Sequence, residues 1–256
     1  MSKSIFDNPQ YFDQIFEAAT EAFDAVGVEA FLIGAKARDI WFLPSKAYRF
    51  TRDVDWIIAN DNEKVFEDLK HYLIQHKNFT ALSNNYSLLS PHAIKVDLVP
   101  FMGTTLELVG LQEVFERGSE IPKGKNYKVA TLPAIVFLKL IAWNNKPEER
   151  VKDIQDIAEI LNRYFDIDSD DIFDNHNDLF NERELEDIGA RVIGRKISYI
   201  LGSSVDLKQR IIHILEQNTQ NPKQSRIARI MAQWTERLEE EAIHLLSEIL
   251  IGIQEA

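Results

Sequence analysis

The sequence predicts an α+β fold: a mixed β-sheet flanked by helices over residues 1–165, followed by an all-helical region over residues 166–256. Three observations carry this. Residues 53–58 and 92–101 alternate or cluster apolar residues in the manner of strands. Between and around them, residues 8–25, 62–76 and 148–164 carry apolar residues at helical spacing. From Asn181 onward the pattern is helical throughout, with no strand-like run.

The 256 residues are 45% hydrophobic and 27% charged, enough for one large globular domain or two small ones. No cysteine is present, which excludes disulfides, thiolate metal sites and a cysteine nucleophile together. The first residues lack the apolar core of a secretory leader, and no apolar run reaches the length of a membrane span, so a cytoplasmic protein without membrane contact is expected. The net charge is −12. Residues 166–256 hold 10 basic and 18 acidic groups, a net of −8. Such a surface lacks the general basic footprint of a nucleic-acid binder. A contact with nucleic acid would need a local patch such as Lys123, Lys125 and Lys128, which reads more simply as a solvated loop.

In chain order, Phe12, Ile15, Phe16, Ala19 and Phe23 form the stripe of a first helix, with Gly27 as its stop. Residues 28–33 read as a strand running into Gly34, and residues 35–42 as a helix. A glycine between strand and helix leaves free backbone N–H groups facing outward, a geometry that suits phosphate. Residues 44–50 form a connecting loop. In the strand at 53–58, side chains two apart share a face, so Asp53 and Asp55 point the same way with Val54 between them on the other side. Residues 79–89 lack a clear period, and strand pairs around Asn84-Asn85 fit them. In the strand at 92–101, Ile94, Val96 and Leu98 face one way while Lys95 and Asp97 face the other. Residues 103–128 read as strand and loop. Thr131-Leu132-Pro133 opens a helix whose body, 134–143, is nearly all apolar except Lys139. In the helix at 148–164, Lys152, Asp153, Asp156 and Glu159 lie on the polar side, and the acidic run at 166–171 reads as a linker between domains. That run is no calcium loop, because its sixth position is Asp171 where glycine is needed and its twelfth is Asn177 where glutamate is needed.

Two neighbouring carboxylates repel unless a positive charge lies between them, and hard cations such as Mg²⁺ take carboxylate oxygens. Asp53 and Asp55, joined by Asp97 from a later strand, therefore have the composition of a metal site. Three carboxylates around two Mg²⁺ ions is what phosphoryl or nucleotidyl transfer requires. For each acid alone, a solvated strand end or edge is the simpler account.

Three stretches resemble the polymerase β-type nucleotidyltransferases, and more narrowly the AbiEii/AbiGii toxin family of type IV toxin–antitoxin systems: Gly34-Ala35-Lys36-Ala37-Arg38-Asp39, Arg49-Phe50-Thr51-Arg52-Asp53-Val54-Asp55 and Val96-Asp97-Leu98-Val99-Pro100-Phe101. Later segments, around Thr131-Leu132-Pro133, Leu138-Lys139-Leu140 and Lys152-Asp153-Ile154, are similar too. The resemblance implies a nucleotidyltransferase-like mixed sheet, with Asp53, Asp55 and Asp97 as catalytic metal ligands and Asp97 beside the attacking hydroxyl. It implies a nucleotide site at Gly34, Ala35 and Lys36, completed by Lys139, Lys152 and Asp153, with Arg38 and Arg49 neutralising phosphate or pinning the loop. Two positions depart from the pattern. Ala35 stands where the superfamily has Ser or Gly, which removes a hydroxyl contact, and Lys36 stands where the closer family has a small hydroxyl residue.

The resemblance thus implies a metal-dependent nucleotidyltransferase, using two Mg²⁺ or Mn²⁺ ions. It would move a nucleoside monophosphate from an NTP to a hydroxyl of RNA, protein or a small molecule. A toxin of this kind would act on tRNA or a protein target and have an antitoxin partner. The alternative is a catalytically lapsed transferase fold acting as a nucleotide- or partner-binding regulator.

Overall fold

The computed structural model describes residues 9–42, 51, 53–101, 106–181, 183–202 and 204–256. Two compact units divide the chain. The first comprises residues 1–115 and 119–130, the second residues 116–118 and 131–256. The sequence places a boundary between 165 and 166; the packing changes hands between 130 and 131.

The first unit is built on a seven-stranded mixed sheet. Its strands are β1 (Ala30–Ile33), β2 (Asp53–Ile58), β3 (Thr80–Ala81), β4 (Ser87–Leu89), β5 (Lys95–Pro100), β6 (Ser119–Glu120) and β7 (Lys128–Ala130), in spatial order β3-β4-β5-β2-β1-β7-β6. β2 is central. It runs antiparallel to β1 and parallel to β5, with Asp55 opposite Asp97 and Asp53 opposite Lys95. β5 is an interior strand, held on its other side by β4, so Asp97 is no edge acid.

The two faces of β2 differ because its side chains alternate. On one face Val54 and Trp56 are fully buried. Helix α1 (Pro9–Val26) covers them: the rings of Phe16 and Phe23 meet Trp56 edge-on at 6.1 and 5.1 Å. Such ring pairs add about 0.5–1.5 kcal/mol beyond simple burial. On the other face helix α4 (Leu106–Arg117) seals one end, where Phe115 packs on Phe31 and Phe101 at 5.7 and 6.0 Å. The acids stand at the opposite end of that same face, following the strand register. Two further helices complete the unit. One is α2 (Gly34–Trp41), tied to β7 by Trp41 Nε1 donating to the Ala130 carbonyl at 2.7 Å. The other is α3 (Glu63–Lys77), which is capped by the Asn62 side chain accepting from Lys64 N–H and buries Phe66, Leu69 and Leu73.

α4 corrects the expectation of strand and loop over 103–128. Only the short β6 and β7 lie in that stretch besides the helix, and residues 102–105 lie outside the described residues. The expected loop at 44–50 also lies outside them.

The second unit is all helical: α5 (Leu132–Asn145), α6 (Val151–Leu161), α7 (Tyr164–Ile167), α8 (Ser169–Asn175), α9 (Leu185–Leu201), α10 (Val205–Thr219), α11 (Arg226–Thr235) and α12 (Glu239–Glu255), with short 3₁₀ turns at Asn177–Leu179 and Pro222–Gln224. α5 is buried almost all round, which matches its unbroken apolar sequence; Thr131 caps its start and Pro133 sits in its first turn. The acidic run at 166–171 is not a linker. It forms parts of α7 and α8, and Asp168 and Asp171 both grip Lys196 of α9 at 2.6 Å. Opposite charge supplied from α9 offsets repulsion within this acidic stretch. No helix among the described residues is long and apolar enough to cross a membrane.

Candidate active site

The β2–β5 register brings the three candidate acids onto one sheet face. Asp55 and Asp97 are direct cross-strand partners, and Asp53 lies two residues along β2. In-register residues on paired parallel strands share a face, so Lys95, the partner of Asp53, belongs to the same block. Its ammonium is 2.6 Å from Asp97 Oδ2. Ser87 of β4, the partner of Asp97 on the other side, donates its hydroxyl to Asp97 Oδ1. Both oxygens of Asp97 are therefore engaged. The Lys95 amine is held above its ordinary pKa, first by its hydrogen bond to Asp97 and then by the charges of Asp97, Asp53 and Asp55, against the cost of partial burial. All three acids thus act on one cation.

Gly34 closes the block from α2. Its φ is +75°, a left-handed conformation that disfavours side chains. A Cβ built there would lie 2.6 Å from Asp55 Oδ2. Glycine is required twice over, by its backbone and by the close approach of the Asp55 carboxylate. Among the described residues, no three acids or histidines already converge into a metal cage. Asp53 is exposed, and Asp97 is turned to Lys95 and Ser87.

The other sequence-derived positions are placed as follows. Ala35 is buried in the first turn of α2. Lys36 lies over the Phe12 ring of α1, 3.5 Å from its centroid and 3.7 Å from Asp39, and burial holds its amine below the ordinary lysine value despite Asp39. Arg38 is only 2% exposed and binds Asp39 through Nε at 3.0 Å and a terminal nitrogen at 2.5 Å. Arg49 lies outside the described residues. Of the basic patch, Lys128 pairs with Glu29 at 3.5 Å and lies over the Phe115 ring.

Lys139 and Asp153 belong to the second unit, where they form a buried cluster. Lys139 Nζ is 2.6 Å from Asp153 Oδ1 and 2.8 Å from Asp156 Oδ2. Asp156 is 1% exposed, so this part of α6 is not the solvated face that the sequence suggests. Lys152 of the same helix is exposed. Sequence reasoning missed three residues of these clusters: Ser87, Lys95 and Asp156. Lys95 was within reach, since it stands two residues before Asp97 on the same face; Ser87 lies in a stretch with no readable period.

A family model described as "Nucleotidyl transferase AbiEii toxin, Type IV TA system" matches residues 39–249. No curated protein matches the chain. Among solved structures, an antigenic nucleotidyltransferase-like protein from Paracoccidioides brasiliensis aligns at 17% identity and a TM-score of 0.40, covering 58% of this chain and 76% of that one. A CCA-adding enzyme in complex with ATP aligns at 13% identity and a TM-score of 0.35, covering 93% of this chain and 66% of that one.

Proposed function

Because the chain belongs to the AbiEii nucleotidyltransferase toxin family of type IV toxin–antitoxin systems, we propose that it is a divalent-metal-dependent enzyme that moves a nucleoside monophosphate from an NTP to a hydroxyl on RNA or protein. The observation that carries this reading is the sheet register: Asp55 opposite Asp97, Asp53 on the same face, and Gly34 against Asp55. The donor set suits a hard cation. It is made of carboxylate oxygens, and their charges already act on a cation, the Lys95 ammonium bound to Asp97.

In this reading Asp53, Asp55 and Asp97 hold two Mg²⁺ ions, with Mn²⁺ able to replace them. Bound there, the metal would lower the pKa of the attacking hydroxyl and neutralise charge building on the phosphate. The chain's own residues do the positioning. Asp97 lies on β5, next to the central strand, and would orient the acceptor hydroxyl. Gly34, lacking a Cβ at the start of α2, lets the Asp55 carboxylate approach that turn, and the backbone N–H groups and dipole of the helix N-terminus beside it would favour the outer phosphates. Lys36, seated on Phe12, stands in the first turn of α2 beside that terminus. An antitoxin partner is the expectation for this family's systems.

A second reading, a lapsed transferase acting as a regulator, draws on one observation: both oxygens of Asp97 are occupied by Ser87 and Lys95. One experiment separates the two. Purified protein is incubated with Mg²⁺, each α-labelled NTP and total RNA or cell lysate, beside the Asp53→Ala/Asp55→Ala variant. Label entering a macromolecule only with the acids intact supports the transferase and identifies both the NTP and the acceptor class. Absence of transfer together with absence of metal and nucleotide binding by calorimetry refutes it.

A further inference from the structure

Asp53, Asp55, Lys95 and Asp97 form a two-by-two block, with Asp53 beside Lys95 and Asp55 beside Asp97 on adjacent parallel strands. The register fixes the lysine's place as firmly as that of the acids. A slip of β5 by one residue against β2 would turn Lys95 and Asp97 to the α1 face, where Val54, Trp56, Val96 and Leu98 are buried. Lys95 is therefore a member of the acid block rather than a passing surface lysine. Its ammonium takes Asp97 Oδ2 at 2.6 Å while Ser87 takes Oδ1. A divalent ion at Asp97 Oδ2 would need an oxygen that is now bound to an ammonium, and one at Oδ1 would still meet the repulsion of that ammonium on the same carboxylate.

From this geometry we infer that Lys95 is a built-in counter-cation of the acid triad, which a divalent ion must displace from Asp97 before the site can work. The inference rests on the metal-binding reading of Asp53, Asp55 and Asp97 given above. It makes Lys95 a positioning residue that acts through Asp97. It also accounts for the arrangement of the acids, in which Asp97 is turned to the lysine rather than toward Asp53 and Asp55 in a ready cage. A displaced ammonium beside the triad would face the phosphates of an incoming nucleotide, so the charge that locks the site has an anion to move to once metal and nucleotide arrive together.

The test is calorimetric titration of the full chain with Mn²⁺ alone, without nucleotide, for wild type, Lys95→Met, Lys95→Arg and Asp53→Ala/Asp55→Ala. A cation bound to a carboxylate shifts its affinity for a competing cation, the proton, by roughly one to three decades. Lys95→Met is therefore expected to bind Mn²⁺ roughly tenfold tighter than wild type. Lys95→Arg, which keeps the charge, is expected to stay near wild type, and the double-acid variant to lose binding. Lys95 is well exposed along its side chain, so Lys95→Met retains the fold, which far-ultraviolet circular dichroism checks. Equal or weaker binding by Lys95→Met, with wild type binding normally, overturns the inference and leaves the metal reading standing. No Mn²⁺ binding by wild type or Lys95→Met overturns both. Binding by Lys95→Met alone supports the inference in its strongest form, a lysine that holds the site shut.

Discussion

Replacing Lys139 with Met keeps the length of the side chain and removes its charge. Lys139 Nζ stands 2.6 Å from Asp153 Oδ1 and 2.8 Å from Asp156 Oδ2, and the three side chains are 9%, 13% and 2% exposed. One ammonium thus serves two buried carboxylates. Removing one partner of a buried ion pair costs roughly 3–5 kcal/mol, because the remaining charge is left without solvent or counter-ion. Here two anions are left, which pushes toward the upper end. Arg150 offsets part of this, since it lies 3.6 Å from Asp153 Oδ2, but it is half exposed and screened. A loss of about 4 kcal/mol is expected. Urea unfolding reads it: at a slope of about 2–3 kcal/mol per molar, the midpoint falls by about 1.3–2 M. The Lys139→Met/Asp153→Asn/Asp156→Asn variant, which removes the stranded anions, is expected to recover most of the loss. A midpoint shift in Lys139→Met worth less than about 1 kcal/mol would refute the argument. It would mean that the lysine is not committed to these acids and is available to a substrate.

Two further predictions follow from single features. Gly34→Ala places a Cβ 2.6 Å from Asp55 Oδ2 on a backbone with φ +75°; it should lower stability by about 1–2 kcal/mol through the left-handed conformation alone and weaken Mn²⁺ binding by displacing Asp55. Thermal unfolding and calorimetry check this, and unchanged metal affinity would show that the close approach does not govern the site. His176 is held below its ordinary pKa by burial and by the charges of Arg195 and Lys196, against the pull of Asp171 and Asp178. The unfolded state therefore binds a proton below pH 6.5 that the folded state resists, so stability rises with pH through the window just below 6.5. His176→Gln should flatten that part of the stability–pH curve. The acid loss below about 3.8 should remain, because hydrogen bonds from Arg195 hold Asp178 below its ordinary value and that stability vanishes only as Asp178 protonates in the fold. An unchanged slope between pH 5 and 6.5 would refute the assignment.

The parts of this molecule that were legible in its sequence are those whose signal is local. Period-two alternation gave β2 and β5 and the shared face of Asp53 and Asp55, and the turn at Gly34 was marked by its glycine. α4 escaped for a local reason as well. Its first apolar residues, Leu106 and Leu108, alternate like a strand, and Gly110 interrupts the helical pattern before Val114 and Phe115 restore it. A Gly in mid-helix costs about 1 kcal/mol against Ala, and packing of Phe115 on Phe31 and Phe101 overrides it.

The charges divide along the same line, and they show why composition alone misjudged them. From the residues alone, Asp168 and Asp171 read as part of a linker and Asp153 and Asp156 as the polar side of a helix. Each is folded against a basic residue that lies elsewhere in the chain: Lys196 on α9 for the first two, Lys139 on α5 for the others. A lysine inside an apolar helix was the visible half of one such pair, and it predicts that an acid must be found for it, since Lys is rarely buried unpaired. The same logic applies in reverse at the sheet. Three carboxylates on one face demand a cation, and the sequence suggested only an external one. The lysine two residues before Asp97 supplies an internal one. An acid cluster in a sequence therefore calls for a count of the bases in its own register before a metal is assigned to it, and here that count changes the question from whether Asp53, Asp55 and Asp97 attract a cation to which cation holds them.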